Sequence, residues 1–252
     1  MYFDSHAHYD DPKFDEDREA LLKELPLFGI DYVVNAASDM TSSYSGIKLA
    51  EKYNYIYAAV GVHPHEVKNM SNQDIDTLKQ LSQHEKVVAI GEIGLDFYYD
   101  LSQRDDQRFW FQKQLDLAKE LNMPVIIHSR DAAQETFDII KNSGVRNGII
   151  HCYSGSPQMA KDYVDMGFLI GVGGVITFSN AKKLVDTVKE VSIDNIVIET
   201  DCPYLAPVPN RGKRNDSRNL KFVVDKIAEV LEISQNDVLN VTKNNAKKIF
   251  FK

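Results

Sequence analysis

Residues 104–128 read RDDQRFWFQKQLDLAKELNMPVIIH, and two kinds of local order meet inside them. Phe111, Leu115, Ala118 and Leu121 recur at the spacing of one helical face. Asn122-Met123-Pro124 then halts that helix, because the residue before a proline is driven out of the helical region. The continuous run Val125-Ile126-Ile127 follows, as expected of a parallel strand buried on both faces. It ends on His128. A helix feeding a buried strand that terminates on an imidazole is the repeat unit from which the rest is read.

The same alternation extends in both directions. Strands are predicted at Met1–His6, Asp31–Ala37, Ile56–Val62, Val87–Ile93, Pro124–His128, Gly148–Cys152, Phe168–Gly173 and Asn195–Asp201. Amphipathic segments lie between them, at Asp17–Leu27, Thr41–Lys52, Asp74–Gln83, Arg104–Leu121, Ala132–Asn142, Pro157–Asp165, Asn180–Lys189 and Asn219–Leu231. Ser71, Asn180 and Ser234 are predicted helix N-caps, and Gln235–Lys252 a closing helix. Eight strands alternating with eight helices in 252 residues predict an α/β fold: one (β/α)8 barrel of the TIM type, a single domain over residues 1–252. An open doubly wound sheet is the alternative.

Composition narrows the function. Hydrophobic residues make up 43% and charged residues 26%, which is globular, and no apolar run is long enough for a membrane span. The opening Met-Tyr-Phe-Asp-Ser-His carries no basic, apolar leader pattern, and two cysteines suit a reducing cytoplasm rather than a disulfide scaffold. Nothing in the sequence indicates an obligate protein partner. The net charge of −8 excludes non-specific coating of nucleic acid, so any such contact must be local or assisted by cations.

The histidines are placed non-randomly. Of seven, six (His6, His8, His63, His65, His128 and His151) fall at or just beyond the C-terminal ends of predicted strands, where such barrels build their sites. His6 and His8 are two apart, so in a strand both face the same side. Glu92, His128, His151 and Asp201 arrive at the same mouth from other strands. Four imidazoles and two carboxylates make a mixed nitrogen and oxygen site for divalent metal, and crowding them without compensating charge would be costly.

The motifs that carry these residues are Asp4-Ser-His-Ala-His8, Gly61-Val-His-Pro-His65, Gly91-Glu-Ile-Gly-Leu-Asp96 and Ile127-His-Ser-Arg-Asp131. Further along come His151-Cys-Tyr-Ser-Gly155, Glu199-Thr-Asp-Cys-Pro-Tyr-Leu205 and Ala206-Pro-Val-Pro-Asn-Arg-Gly-Lys-Arg-Asn215. In this order, over nearly the whole chain, they resemble the TatD family of metal-dependent deoxyribonucleases, within the amidohydrolase-like barrel superfamily. Cys202 stands where that family commonly has Ser, and Asp216-Ser217-Arg218 replaces its usual Glu-Pro continuation. The resemblance implies two divalent cations (Mg, Mn or Zn) held by His6, His8, Glu92, His128, His151 and Asp201. It implies a DNA substrate, hydrolysed in the 3′→5′ direction from single-strand ends.

On that basis His6, His8 and Asp201 are expected to hold one ion, His128 and His151 the other, and Glu92 to bridge them. No lysine lies within a predicted strand interior to take the bridging place. Asp201 is also the expected acceptor of the attacking water's proton. His63 is expected to touch a substrate phosphate, with His65 a weaker candidate, and Asp96 to orient a ligand histidine. Glu199 shares the parity of Asp201 and should orient a ligand or pair with a base. Arg211, Lys213 and Arg214 are the expected phosphate clamp. Tyr98 and Tyr99 are candidates for stacking on a base, whereas Trp110 belongs to helix packing. Cys152 and Cys202 have the opposite strand parity to the neighbouring ligands and should face the helices. Three rivals stand beside the nuclease: a hydrolase of a small amide, ester or lactone, a PHP-type phosphoesterase, and a non-catalytic metal-dependent nucleic-acid binder. The basic run at Arg211–Arg214 weighs against the first.

Overall fold

Eight strands pair in parallel and in chain order in the computed structural model, which describes residues 1–251. They are β1 Tyr2–Ala7, β2 Ile30–Ala36, β3 Ile56–Val60, β4 Val87–Asp96, β5 Val125–Arg130, β6 Gly148–Ile150, β7 Phe168–Val172 and β8 Ile196–Ile198. The principal helices are α1 Arg18–Glu24, α2 Met40–Lys52, α3 Asn72–Leu81, α4 Arg104–Glu120, α5 Ala133–Ser143, α6 Pro157–Asp165, α7 Lys182–Glu190, α8 Leu220–Leu231 and α9 Gln235–Phe250. The barrel expected from the sequence is therefore found, and the open sheet is not.

Closure happens just beyond β8. Asp201 N–H donates to His6 O at 3.0 Å, and His8 N–H to Cys202 O at 2.8 Å. Asp4 locks the seam from the helix side. Its carboxylate accepts Thr200 N–H at 2.9 Å, the Thr200 hydroxyl at 2.7 Å and the Ser217 hydroxyl at 2.6 Å. Burial pushes the Asp4 carboxyl up to about 7, against the pull of these hydrogen bonds.

Strand alternation splits the apolar core in two. Val33, Ala58, Ile127, Ile150 and Ile170 face outward against helix residues such as Leu22, Phe111 and Val223. Phe3, Val34, Ala59, Ile126, Ile149 and Val197 face inward, where Ala246, Ile249 and Phe250 of α9 pack against them. Helix α9 thus fills the barrel's N-terminal end, and the polar strand ends are left at the other.

The local signals hold with one exception. Helix α4 ends at Glu120 before the Pro124 break, and Trp110 packs against Val62 and Val67. Ser71 donates its N–H and hydroxyl to the Asp74 carboxylate, and Ser234 Oγ accepts Asp237 N–H at 3.1 Å. Asn180, however, is not a cap: α7 begins one residue later, behind Ala181. Among the described residues no helix is long and apolar enough to cross a membrane.

Candidate metal centre

Six of the eight strands deliver side chains at or beyond their C-terminal ends to one buried site. His6 and His8 come from β1, His63 from beyond β3, Glu92 from β4 and His128 from β5. His151 and Asp201 follow β6 and β8. His6 and His8 do share a face, with their Nε2 atoms 3.0 Å apart. Glu92 stands at the centre, and its two oxygens look in different directions. Oε1 lies 2.8 Å from His128 Nδ1, 2.9 Å from His151 Nε2 and 3.6 Å from His63 Nε2. Oε2 lies 3.3 Å from His6 Nε2 and 3.6 Å from His8 Nε2. Asp201 Oδ1 closes the second group, 3.4 Å from His8 Nε2 and 3.7 Å from His6 Nε2.

Behind the imidazoles stand further carboxylates. Asp96 Oδ2 faces both His128 Nε2 at 3.0 Å and His65 Nε2 at 2.9 Å. Glu199 Oε1 accepts Cys152 N–H at 2.5 Å and lies 3.5 Å from His151 Nδ1. Gly171 makes room for it: a Cβ there would come within 2.5 Å of Glu199 Oε2. Asp96 and Glu199 are therefore placed to orient His128 and His151.

The charges are strongly coupled. Burial alone would raise Glu92, yet His151, His63, His6 and the bond to His128 hold it well below the usual carboxylate range. Asp201 is also held low, burial being outweighed by the bond to His8 and the charges of His151 and His6. Burial and then His151 lower His6, and burial and then His128 lower His63 well below the ordinary imidazole value. Against burial, the bond to Asp201 and the charge of Glu92 lift His8 to about 9. Glu92 likewise lifts His151, and Asp96 and Glu92 lift His128.

This donor set fits divalent metal. Three groups have ligand atoms within 4.8 Å of one another: His6, His8 and Asp201; His6, Glu92 and His151; His63, Glu92 and His128. The His6 and His8 Nε2 atoms confront each other, so at most one can donate to the other. His6 Nδ1 is buried without any partner. Imidazole nitrogens and carboxylate oxygens converging in this way suit Zn or Mn, and Mg where carboxylate and phosphate oxygens dominate.

His63, expected at a substrate phosphate, stands beside Glu92 and His128 as a member of the third donor group. Arg214, expected in the phosphate clamp, forms a two-point ion pair with Asp17 at 2.7 and 2.6 Å. Arg211 lies over the Phe178 ring at 4.3 Å, and Lys213 is exposed. Cys202 is buried among outward-facing residues as expected. Cys152 is not: β6 ends at Ile150, Cys152 has φ 44°, and the charges of His151, Asp201, Glu199 and Glu92 all reach its thiol. No local sequence signal marks Asp4, whose partners Thr200 and Ser217 lie 196 and 213 residues away.

A family profile described as TatD related DNase matches residues 3–251. The chain belongs to the TatD family. It is 41% identical over 252 residues to YabD, a metal-dependent hydrolase of Bacillus subtilis (strain 168), with 99% of each chain covered. To the metal-dependent hydrolase TatD of Mycobacterium tuberculosis it is 31% identical over 255 residues, covering 98% of this chain and 97% of that one. The crystal structure of YjjV, a TatD homologue from Escherichia coli K12, superposes with a TM-score of 0.93. Its identity is 32%, over 99% of this chain and 97% of that chain. The TatD relatives are metal-dependent hydrolases, and this chain carries candidate metal-binding groups at the mouth of the same barrel.

Proposed function

We propose that this TatD-family chain is a deoxyribonuclease that removes nucleotides from the 3′ ends of single-stranded DNA with two divalent cations. The observation that carries the reading is the division of Glu92, whose Oε1 and Oε2 each face a separate set of imidazoles. His6, His8 and Asp201 would hold one cation, His128 and His151 the other, with Glu92 shared between them. When bound, such cations neutralise charge on phosphoryl oxygens and make a coordinated water more acidic.

The chain's own groups do the rest. Asp201 is held ionised and its side chain is 16% exposed, so it can take the proton of the attacking water at the open edge of the site. Asp96 fixes the ring of His128 from behind, and Glu199 faces His151 Nδ1 at 3.5 Å. His63 beside Glu92 is close enough to the centre to touch a phosphoryl oxygen as well as to join the donor group. Arg211 and Lys213 would hold phosphates further along the strand. Both cysteines are free thiols, which supports a reducing, cytoplasmic setting.

The test is hydrolysis of 3′- and 5′-labelled single-stranded oligonucleotides, with p-nitrophenyl esters alongside and Mg, Mn and Zn supplied in turn. Loss of the 3′ label first, abolished by chelation, is expected. Ester hydrolysis with intact oligonucleotides would overturn the nuclease in favour of a small-molecule hydrolase.

A further inference from the structure

An acidic nuclease needs a local grip on its strand, and the basic loop offers less of one than its sequence suggests. Arg214 is tied to Asp17, and Arg218 to Asp216. On another side of the mouth, the segment after β4 offers a different surface. Tyr98 and Tyr99 are 58% and 53% exposed. The Arg130 guanidinium lies over both rings, at 4.0 and 4.6 Å. Neighbouring Arg104 pairs with Asp100, and Arg108 with Asp105 and Glu135. Arg130 has no such carboxylate among the described residues. Tyr204, another exposed aromatic at the mouth, is already engaged by Asp11 and Lys13.

This surface is rigidly attached to the metal centre. Tyr98 and Tyr99 donate their N–H groups to Asp96 Oδ1 at 3.0 and 2.8 Å. The other oxygen of Asp96 faces His128 and His65, and the His65 ring meets Tyr99 edge-on at 5.4 Å. Phe97 N–H donates to Arg130 O at 2.9 Å, which joins the segment to the end of β5. One carboxylate therefore positions both a ligand imidazole and two exposed aromatic rings.

We propose that Tyr98, Tyr99 and Arg130 form a platform for one nucleobase of single-stranded DNA beside the scissile bond, one tyrosine ring stacking on the base and the other, at 84° to it, meeting the base edge, with Arg130 pairing to that nucleotide's phosphate. The proposal rests on the nuclease reading above. Every base has a π-face, so a tyrosine platform grips without choosing sequence. A guanidinium held over aromatic rings, with no carboxylate partner, keeps N–H groups for phosphate oxygens. The backbone bonds to Asp96 and Arg130 fix the platform in advance, so little ordering is lost on binding.

The experiment compares the metal-loaded wild type with Arg130→Gln, the double variant Tyr98→Ala/Tyr99→Ala and the conservative Tyr98→Phe/Tyr99→Phe. Substrates are a single-stranded oligonucleotide and methyl p-nitrophenyl phosphate, which has no base. A phosphorothioate oligonucleotide with 2-aminopurine near its 3′ end reports stacking by fluorescence quenching. For the alanine pair we expect KM on the oligonucleotide to rise about tenfold or more with kcat little changed, and the quenching to be lost. Arg130→Gln should raise KM in the same way, the phenylalanine pair should keep wild-type values, and rates on the minimal ester should stay within about twofold. An abasic site at the probed position should weaken wild-type binding as much as the alanine pair weakens binding of the intact strand. Unchanged KM and quenching in the alanine pair, with wild-type cleavage intact, overturn the platform alone. Equal losses on both substrates overturn it in favour of a structural role. A wild type that cleaves no oligonucleotide overturns the platform and the nuclease reading together.

Discussion

Asp96 accepts from the Nε2 side of His128 at 3.0 Å, while the other ring nitrogen of His128 faces Glu92 at 2.8 Å. A cation at Glu92 would replace the proton on Nδ1, and Asp96 would keep the one on Nε2, which fixes both tautomer and ring angle. Asp96→Asn should therefore weaken metal binding about 10- to 100-fold while the fold survives. Metal titration followed with circular dichroism checks this, and unaltered affinity would show that Asp96 only caps its loop.

Glu92→Gln should lower bound metal below two ions per chain and abolish hydrolysis, since an amide cannot offer an anionic oxygen to both groups. The barrel should persist, because the apolar layers lie between strands and helices and at the opposite end. Metal stoichiometry and thermal unfolding on one preparation decide it. Near-normal turnover would remove Glu92 from the shared position.

Asp201→Asn separates ligand from base. Turnover should fall by at least about 100-fold even at saturating metal, because the amide cannot accept a proton. Activity within a few-fold of wild type would mean that another group takes the proton.

Continuous β-branched runs such as Val125-Ile126-Ile127, with histidines at their ends, make the strands and their polar termini legible locally. The convergence of His6, Glu92, His128, His151 and Asp201 then follows from the barrel itself. Departures occur where the chain leaves regular strand geometry. Parity carried to Cys152 fails because β6 stops at Ile150 and the backbone turns left-handed, so inward and outward no longer alternate. Asp201 also has a positive φ, 55°, a conformation that a short polar side chain tolerates better than most. Neither the Asp4 lock on Thr200 and Ser217 nor the Asp17 bond to Arg214 leaves a local trace, because their partners are distant in sequence.

Protons should leave when metal enters. In the metal-free chain His8 is lifted to about 9, with His128 and His151 also raised by neighbouring carboxylates that outweigh burial. The His8 ring therefore carries a proton at about pH 7, and a cation must displace it, so affinity should rise with pH up to about 9. Calorimetric titration in buffers of different ionisation enthalpy should give a buffer-dependent heat equivalent to at least one proton per chain. A heat independent of buffer would show the rings to be neutral before binding.

The basic loop should divide by residue. Arg211 and Lys213 have no carboxylate partner among the described residues, whereas Arg214 is held by Asp17 at two points. Each phosphate contact on a single strand contributes about −0.7 to the slope of log K against log salt. Arg211→Ala/Lys213→Ala should thus flatten the slope for an uncleavable oligonucleotide by about 1.4 and leave metal content unchanged. Arg214→Ala should leave the slope nearly as it was and cost at most about 1 kcal/mol of stability, since the pair is solvent-exposed and screened. Asp17→Ala should do the reverse, steepening the slope by up to about 0.7 as Arg214 is released toward the strand. If Arg214→Ala flattens the slope by about 0.7, the ion pair opens on DNA and all three cations belong to the clamp.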